Sequence, residues 1–326
     1  MIANAPSKLP RLCWVVTDGS AGNENPALGL AQAVGLETEV KRLRPRRPWT
    51  WLPGDLWPLP FAALGPDSDI LAPPWPDLVI TCGRRSVPYS LAIRRAGARC
   101  NVHIQNPRIG LKHFDLVAAP RHDRLAGANV VATKGSLHRL TAPLLAAEAA
   151  RLEGKFRHLP RPLVAVLVGG TNSCYRLTAA ATAELAAGLG ALCEAGAGLV
   201  VTTSRRTGAA NEAVLRQALA DQPAVIWDGR EPNPYFAYLG LADAIVVTAD
   251  SVNMVSEAAS TGKPVHVFEL EGGFLKFRAS KFRAFHDMMR QDGIIRPFAG
   301  RLESWSYDPP DDTALVAVEV KRRLGI

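Results

Sequence analysis

Paired cysteines are the plainest thing this sequence lacks. Its five, Cys13, Cys82, Cys100, Cys174 and Cys193, are scattered without a C-x-x-C among them. That argues against a disulfide framework or a thiolate metal site and fits small buried residues in a reducing compartment. No histidine cluster stands at ligand spacing, so no metal is expected. No apolar run approaches the roughly 20 residues that span a bilayer. The first residues run straight into a strand pattern with no signal-type segment. A P-loop is missing, which argues against ATP hydrolysis. No RRM, KH or helix-turn-helix pattern accompanies the basic residues, so nucleic acid is not expected as a partner. What remains is a cytoplasmic globular protein, expected without a cofactor. Its 326 residues suit two domains better than one core.

Charge is present but uneven. Residues 1–160 hold 21 Lys and Arg against 12 Asp and Glu, a net +9, while the remainder is at −1. The first half is therefore expected to meet an anionic surface or ligand. Short β-branched runs alternate with longer Ala/Leu-rich segments, the pattern of an α/β fold with parallel strands. The halves echo each other: "LVITCGRRS" (78–86) matches "LVVTTSRRT" (199–207), and "DLVITCG…GARCNVHI" is spaced like "DAIVVTAD…GKPVHVF". Two similar units in tandem, facing a cleft, is the economical reading; chance similarity of short buried strands is the plain alternative. "RHLPRP" reads as the linker. Residues 1–157 then form a basic first domain, 158–310 a second, and 311–326 a terminal helix.

In such sheets ligands sit beyond the carboxyl ends of the strands. "VGGTNS" (168–173) places Gly169 and Gly170 where backbone N–H groups are expected to be free, with Thr171, Asn172 and Ser173 beside them. That suits a diphosphate, although a tight turn with no ligand explains a Gly-Gly equally well. "TTSRRTG" brings Ser204, Arg205 and Arg206 to another strand end, where arginine forks pair with phosphate oxygens. At least one of the two arginines is expected to be merely solvated. Asp18, in "TDGSAGNEN", reads either as a general base or as a turn residue bonding its own backbone. The fourth loop leads through Asp250 into a helix with Ser251 as N-cap. Asn253 and Glu257 share its polar face, and a carboxylate held there could accept both hydroxyls of a ribose, although most helix glutamates are simply exposed.

The segment "SVNMVSEAASTGKPVHVF" resembles the donor-nucleotide motif of GT-B glycosyltransferases, most nearly that of the bacterial enzyme adding N-acetylglucosamine to a lipid-linked cell-wall precursor. Over nearly the whole chain, "TDGSAGNENPALGLAQAVG", "HIQNPR", "FDLVAAPRHD", "VAVLVGGTN", "TTSRRT" and "NPYFAYLGLADAIVVTADSVNMVSEAASTGKPV" resemble the Elm-type mitochondrial-fission family. The resemblance implies two Rossmann-type domains and a last helix that crosses back to the first. It puts Glu257 on the ribose of a UDP-type sugar nucleotide and Gly170, Thr171 and Ser173 near its diphosphate. The sequence departs from active GT-B enzymes in two places. "DGSAGNEN" stands where the acceptor enzyme has a Gly-rich, His-containing loop. "ELEGGFLKF" carries Glu269 and Glu271 without a Gln in the donor-sugar loop. The implied activity is sugar transfer to an acceptor, lipid-linked or of the cell envelope. A sugar-nucleotide epimerase and a non-catalytic fission-type adaptor are the alternatives.

One stretch of the first half, "KRLRPRRPWTWLPGDLWPLPF" (41–61), sets Arg44, Arg46 and Arg47 beside Trp49, Trp51 and Trp57. Cations next to aromatics suit an anionic headgroup layer and hence peripheral contact at the inner face of the cytoplasmic membrane. Tryptophans packed as a Pro-rich cover on the first domain are the other reading.

Overall fold

A computed structural model describes residues 12–52, 56–272 and 279–326. The chain divides into two compact units, one of Met1–Arg139 with Asp311–Ile326 and one of Leu140–Pro310.

The first unit holds strands β1 (Leu12–Thr17), β2 (Glu37–Arg42), β3 (Leu78–Cys82), β4 (Cys100–Ile104), β5 (Leu116–Pro120) and β6 (Val130–Thr133), all parallel. They are ordered β2-β1-β3-β4-β5-β6. Helices α1 (Ala21–Val34) and α2 (Val87–Ala96) connect them. β3 and β4 are buried along their whole length, as strands covered on both faces must be. α1 starts at Ala21, where the Ser20 carbonyl accepts the N–H groups of Asn23 and Glu24. Pro26 then falls inside the helix, where its missing N–H removes one bond.

The second unit opens with α3 (Ala142–Phe156) and β7 (Leu163–Val168). It continues through β8 (Tyr175–Arg176), α4 (Ala179–Glu194), β9 (Gly198–Thr203), α5 (Ala209–Ala218), β10 (Ala224–Ile226) and α6 (Tyr235–Leu241). β11 (Ala244–Thr248), α7 (Val252–Ala259), β12 (Val265–Phe268), β13 (Glu271–Gly272), α8 (Ser280–Gln291) and β14 (Ile295–Pro297) complete it. Six strands form a parallel sheet ordered β10-β9-β7-β11-β12-β14, and β8 and β13 form a separate antiparallel ribbon. Renumbered within the unit, that order is 3-2-1-4-5-6, the doubly wound arrangement whose direction reverses between β7 and β11.

Two expectations need correction. The boundary lies at 139/140, not 157/158. α3 packs on α6, where Gly240 permits the approach: a Cβ there would stand 2.5 Å from the Leu145 carbonyl oxygen. "RHLPRP" is therefore a loop within the second unit, with Leu159 in its core. The echo of paired arginines also falls on non-equivalent strands, since β3 occupies the position of β11 and not that of β9. The second echo does fall on equivalent elements: β3–α2–β4 corresponds to β11–α7–β12.

The terminal helix α9 (Asp312–Leu324) belongs to the first unit, packed on α1. Its Asp312 carboxylate accepts the Lys134 and Gly135 N–H groups at 2.9 and 2.8 Å. No helix among the described residues is long and apolar enough to cross a membrane.

Candidate functional site

Three loops meet at the reversal point of the second sheet, those following β7, β9 and β11, and Asp250 ties them together. Its side chain is buried. One carboxylate oxygen accepts the Thr248 hydroxyl at 2.7 Å. The other accepts the Gly170 N–H at 3.0 Å and the Arg206 guanidinium at 2.6 Å. Burial pushes this carboxyl up, and the bonds from Thr248, Arg206 and Gly170 offset only part of that rise. The Gly169 N–H donates in turn to Thr248 Oγ1 at 2.8 Å, and Asn172 Nδ2 donates to the Asp250 carbonyl at 3.0 Å. Ser204 and Thr207 both donate hydroxyls to the Gly169 carbonyl.

This network explains the glycine pair. A Cβ on Gly169 would lie 2.1 Å from the Asp250 carboxylate, and one on Gly170 would lie 2.1 Å from the Arg206 carbonyl oxygen. It also revises the expected role of the loop. The N–H groups of Gly169 and Gly170 are engaged by Thr248 and Asp250, that of Thr171 by Arg206, and that of Asn172 by Tyr175. The backbone expected to be free for a diphosphate is already paired. Among the residues the three loops leave exposed are Thr171, Ser173, the half-exposed Arg206, and Arg205, which makes no hydrogen bond or ion pair among the described residues. The N-terminus of α7, with its partial positive charge, lies on the loop that carries Asp250.

α7 forms as its sequence dictates: the Ser251 side chain accepts the Met254 N–H, and Gly262 with φ +73° precedes Pro264 and β12. Val255, Ala258 and Ala259 pack into the core. Glu257 is buried too, at 7 % exposure. Its Oε2 accepts the Tyr235 hydroxyl at 2.5 Å. Burial pushes its carboxyl up to about 7, against the lowering effect of the tyrosine bond. Asn253 is half-buried on the same helix. Glu271 does not join this group: it accepts the Thr178 hydroxyl at 2.6 Å and sits in the β8–β13 ribbon.

Asp18, in the first unit, has the geometry of a turn residue. Its carboxylate accepts the Ser20 N–H, the Ser20 hydroxyl and the Asn23 amide at 3.1, 2.6 and 3.2 Å. Partial burial pushes it up, but the bonds from Ser20 and Asn23 and the charge of Arg85 outweigh that and hold it below the usual carboxylate range. A base held low is a weak one.

The basic and aromatic stretch separates into two parts. Trp57 is buried edge-on against Tyr89, and half-buried Trp49 donates its indole N–H to the Pro58 carbonyl. Arg46 donates twice to the Ala62 carbonyl, so these three residues hold the loop together. Trp51 is 71 % exposed beneath the Arg47 guanidinium, and Leu56, Leu59 and Ile70 are exposed as well, at 63, 77 and 78 %. Arg44 is exposed. Tyr235 and Thr248, which complete the second-unit site, were missed from sequence; the tyrosine stands in the "NPYFAYL" run that precedes the motif.

Two Rossmann-like parallel sheets, the second with its reversal point at Asp250, give the chain a GT-B-like fold. The chain belongs to the family described as Mitochondrial fission ELM1, whose sequence model matches residues 21–324. It is 36 % identical over 279 residues to mitochondrial fission protein ELM1 of Arabidopsis thaliana, a match covering 77 % of this chain and 64 % of the relative. The chain thus spans a little under two thirds of that protein's length. Among solved structures, UDP-GlcNAc 2-epimerase from Methanocaldococcus jannaschii in complex with UDP-GlcNAc and UDP is 9 % identical, covering 96 % of this chain and 99 % of that one with a TM-score of 0.54. MurG of Acinetobacter baumannii is 18 % identical, covering 97 % and 92 %, with a TM-score of 0.47.

Proposed function

We propose that the second unit binds a sugar nucleotide of the UDP type, with Glu257 accepting hydrogen bonds from the ribose diol and Arg205, Arg206, Ser173 and the α7 N-terminus meeting the diphosphate. The bound sugar is transferred to an acceptor carried by the basic first unit. The observation that carries this reading is the burial of Glu257. Its carboxyl has no cationic partner among the described residues, an arrangement that opposes stability and is characteristic of functional sites. Arginines and a helix N-terminus would neutralise the departing diphosphate without a metal. The turn geometry and low-held carboxyl of Asp18 make it a poor choice of base, so the acceptor's proton needs another receiver.

Calorimetry with UDP-N-acetylglucosamine and with UDP tests the reading. Both are expected to bind, and UMP more weakly because it lacks one phosphate. If neither UDP nor its sugar binds at millimolar concentration, the reading is lost.

The acceptor side is proposed to touch an anionic membrane through Trp51, Leu56, Leu59 and Ile70, with Arg44 and Arg47 among the headgroups. Each cation near such a surface contributes about 1 kcal/mol. Vesicles containing phosphatidylserine are expected to co-sediment the protein, and pure phosphatidylcholine vesicles are not. Trp51→Ser with Leu59→Ser should reduce that sedimentation about tenfold while the melting temperature stays put. Equal sedimentation of the variant would remove this surface from the proposal.

A further inference from the structure

Glu257 meets one polar hydrogen among the described residues, and it comes from Tyr235 at the first position of α6. The titratable groups on the elements around α7 are engaged elsewhere. Asp250, in the turn after β11, is held by Arg206, Thr248 and Gly170. Lys263, in the turn after α7, donates its ammonium to the Leu239 and Gly240 carbonyls at the end of α6. His266 on β12 accepts the Glu303 N–H. Tyr307 donates to the Ala259 and Lys263 carbonyls, and Tyr238 on α6 stands edge-on to Phe156. The protonation of Glu257 is thus governed by its burial and by this one tyrosine.

We propose that Tyr235 is a positioning residue: its hydroxyl fixes one Glu257 oxygen and presents the carboxylate as a ready acceptor for two vicinal hydroxyls. The inference rests on the nucleotide reading above. An ionised carboxylate has about four lone-pair sites, so one donor from Tyr235 leaves enough for a diol. A protonated carboxyl turns one oxygen into a donor and can no longer face two hydroxyls equally. Burial favours that protonated form, and the tyrosine bond opposes it. Tyr235 therefore sets both the direction of the carboxylate and the pH at which it accepts. Its own hydroxyl stays protonated, being pushed well up by burial and by the facing glutamate.

Tyr235→Phe keeps the ring and removes the hydroxyl. Calorimetry with UDP-N-acetylglucosamine between pH 6 and 8.5 is the first readout. In the wild type, affinity is expected to rise with pH around a midpoint near 7. In Tyr235→Phe the midpoint should move up by about one unit, with affinity about tenfold lower at pH 7 and recovering toward pH 8.5. A 2′,3′-dideoxy analogue should bind both proteins alike and show no such rise. An unshifted profile in Tyr235→Phe, or an equal loss with the dideoxy analogue, would overturn the proposal. Carbon NMR titration of the Glu257 carboxyl in the ligand-free protein, assigned with Glu257→Gln, is the second readout. Its midpoint should climb when the tyrosine hydroxyl is removed, and no movement would overturn the pairing. If the midpoint climbs but the wild type takes up no nucleotide, the nucleotide reading fails, and the role toward a diol fails with it.

Discussion

Gly170→Ala is expected to lower the melting temperature of the second unit by roughly 10 °C, equivalent to about 3 kcal/mol for a unit of this size. The new Cβ would stand 2.1 Å from the Arg206 carbonyl oxygen, and the residue's φ of +155° already disfavours a side chain. Relief means moving the 204–207 loop. That loop is fixed by hydroxyl bonds from Ser204 and Thr207 to the Gly169 carbonyl and by the Arg206 bond to Asp250. Displacing Arg206 would leave a buried carboxylate without its cation, one of the few changes that costs several kcal/mol. Gly190→Ala is the matching control. Gly190 lies within α4 with nothing inside 4 Å of an added Cβ, so alanine there should be neutral or stabilising by up to about 1 kcal/mol. Calorimetric scans of the two variants check the contrast. Equal melting temperatures would mean that the glycine pair is not closed around Asp250.

The same loop shows where sequence reasoning reaches and where it stops. That β7, β9 and β11 are strands, and that their ends gather chemistry, was legible, because strands buried on both faces leave continuous apolar runs. The edge strands β6 and β14 were not. They have four and three residues, and β6 is mostly half-buried, so neither length nor alternation marks them. A Gly-Gly can serve a ligand's approach or the protein's own packing, and sequence does not separate the two. Only the positions of Asp250 and Arg206 showed the second use. The ambiguity of the tryptophans was of the same kind: Trp57 fills a core facing Tyr89 while Trp51, six residues earlier, faces water. For Glu257 the helix pattern placed it on the polar face, but the fold buries that carboxylate and brings the Tyr235 hydroxyl to it. That contact is tertiary and was visible only as an unassigned tyrosine in "NPYFAYL".

Glu257→Gln is expected to do two opposite things, and the pair of signs is what identifies a binding carboxylate. Toward nucleotide it should weaken affinity by about 100-fold, the loss of charge-assisted bonds to two hydroxyls. Toward stability the change should be favourable at high pH. The folded-state carboxyl titrates near 7 against an ordinary value of 4.5, with burial as the cause. A raised value means that folding favours the protonated form. The group's contribution is therefore fully present below pH 4.5 and is lost as pH rises through 7. At pH 8 the wild type must keep a buried, ionised carboxylate with no cation beside it among the described residues, whereas glutamine is neutral there and can still accept the Tyr235 hydroxyl. Glu257→Gln should then melt higher than wild type at pH 8, by roughly 1–3 kcal/mol of stability, and close to it at pH 5. UDP-sugar at a concentration that saturates the wild type but not the variant should reverse the ranking at pH 8, since ligand stabilisation grows with occupancy. Thermal scans at the two pH values, with and without nucleotide, measure both effects together. A variant less stable at pH 8 would make Glu257 a structural residue. One that keeps its nucleotide affinity would remove the carboxylate from the ribose.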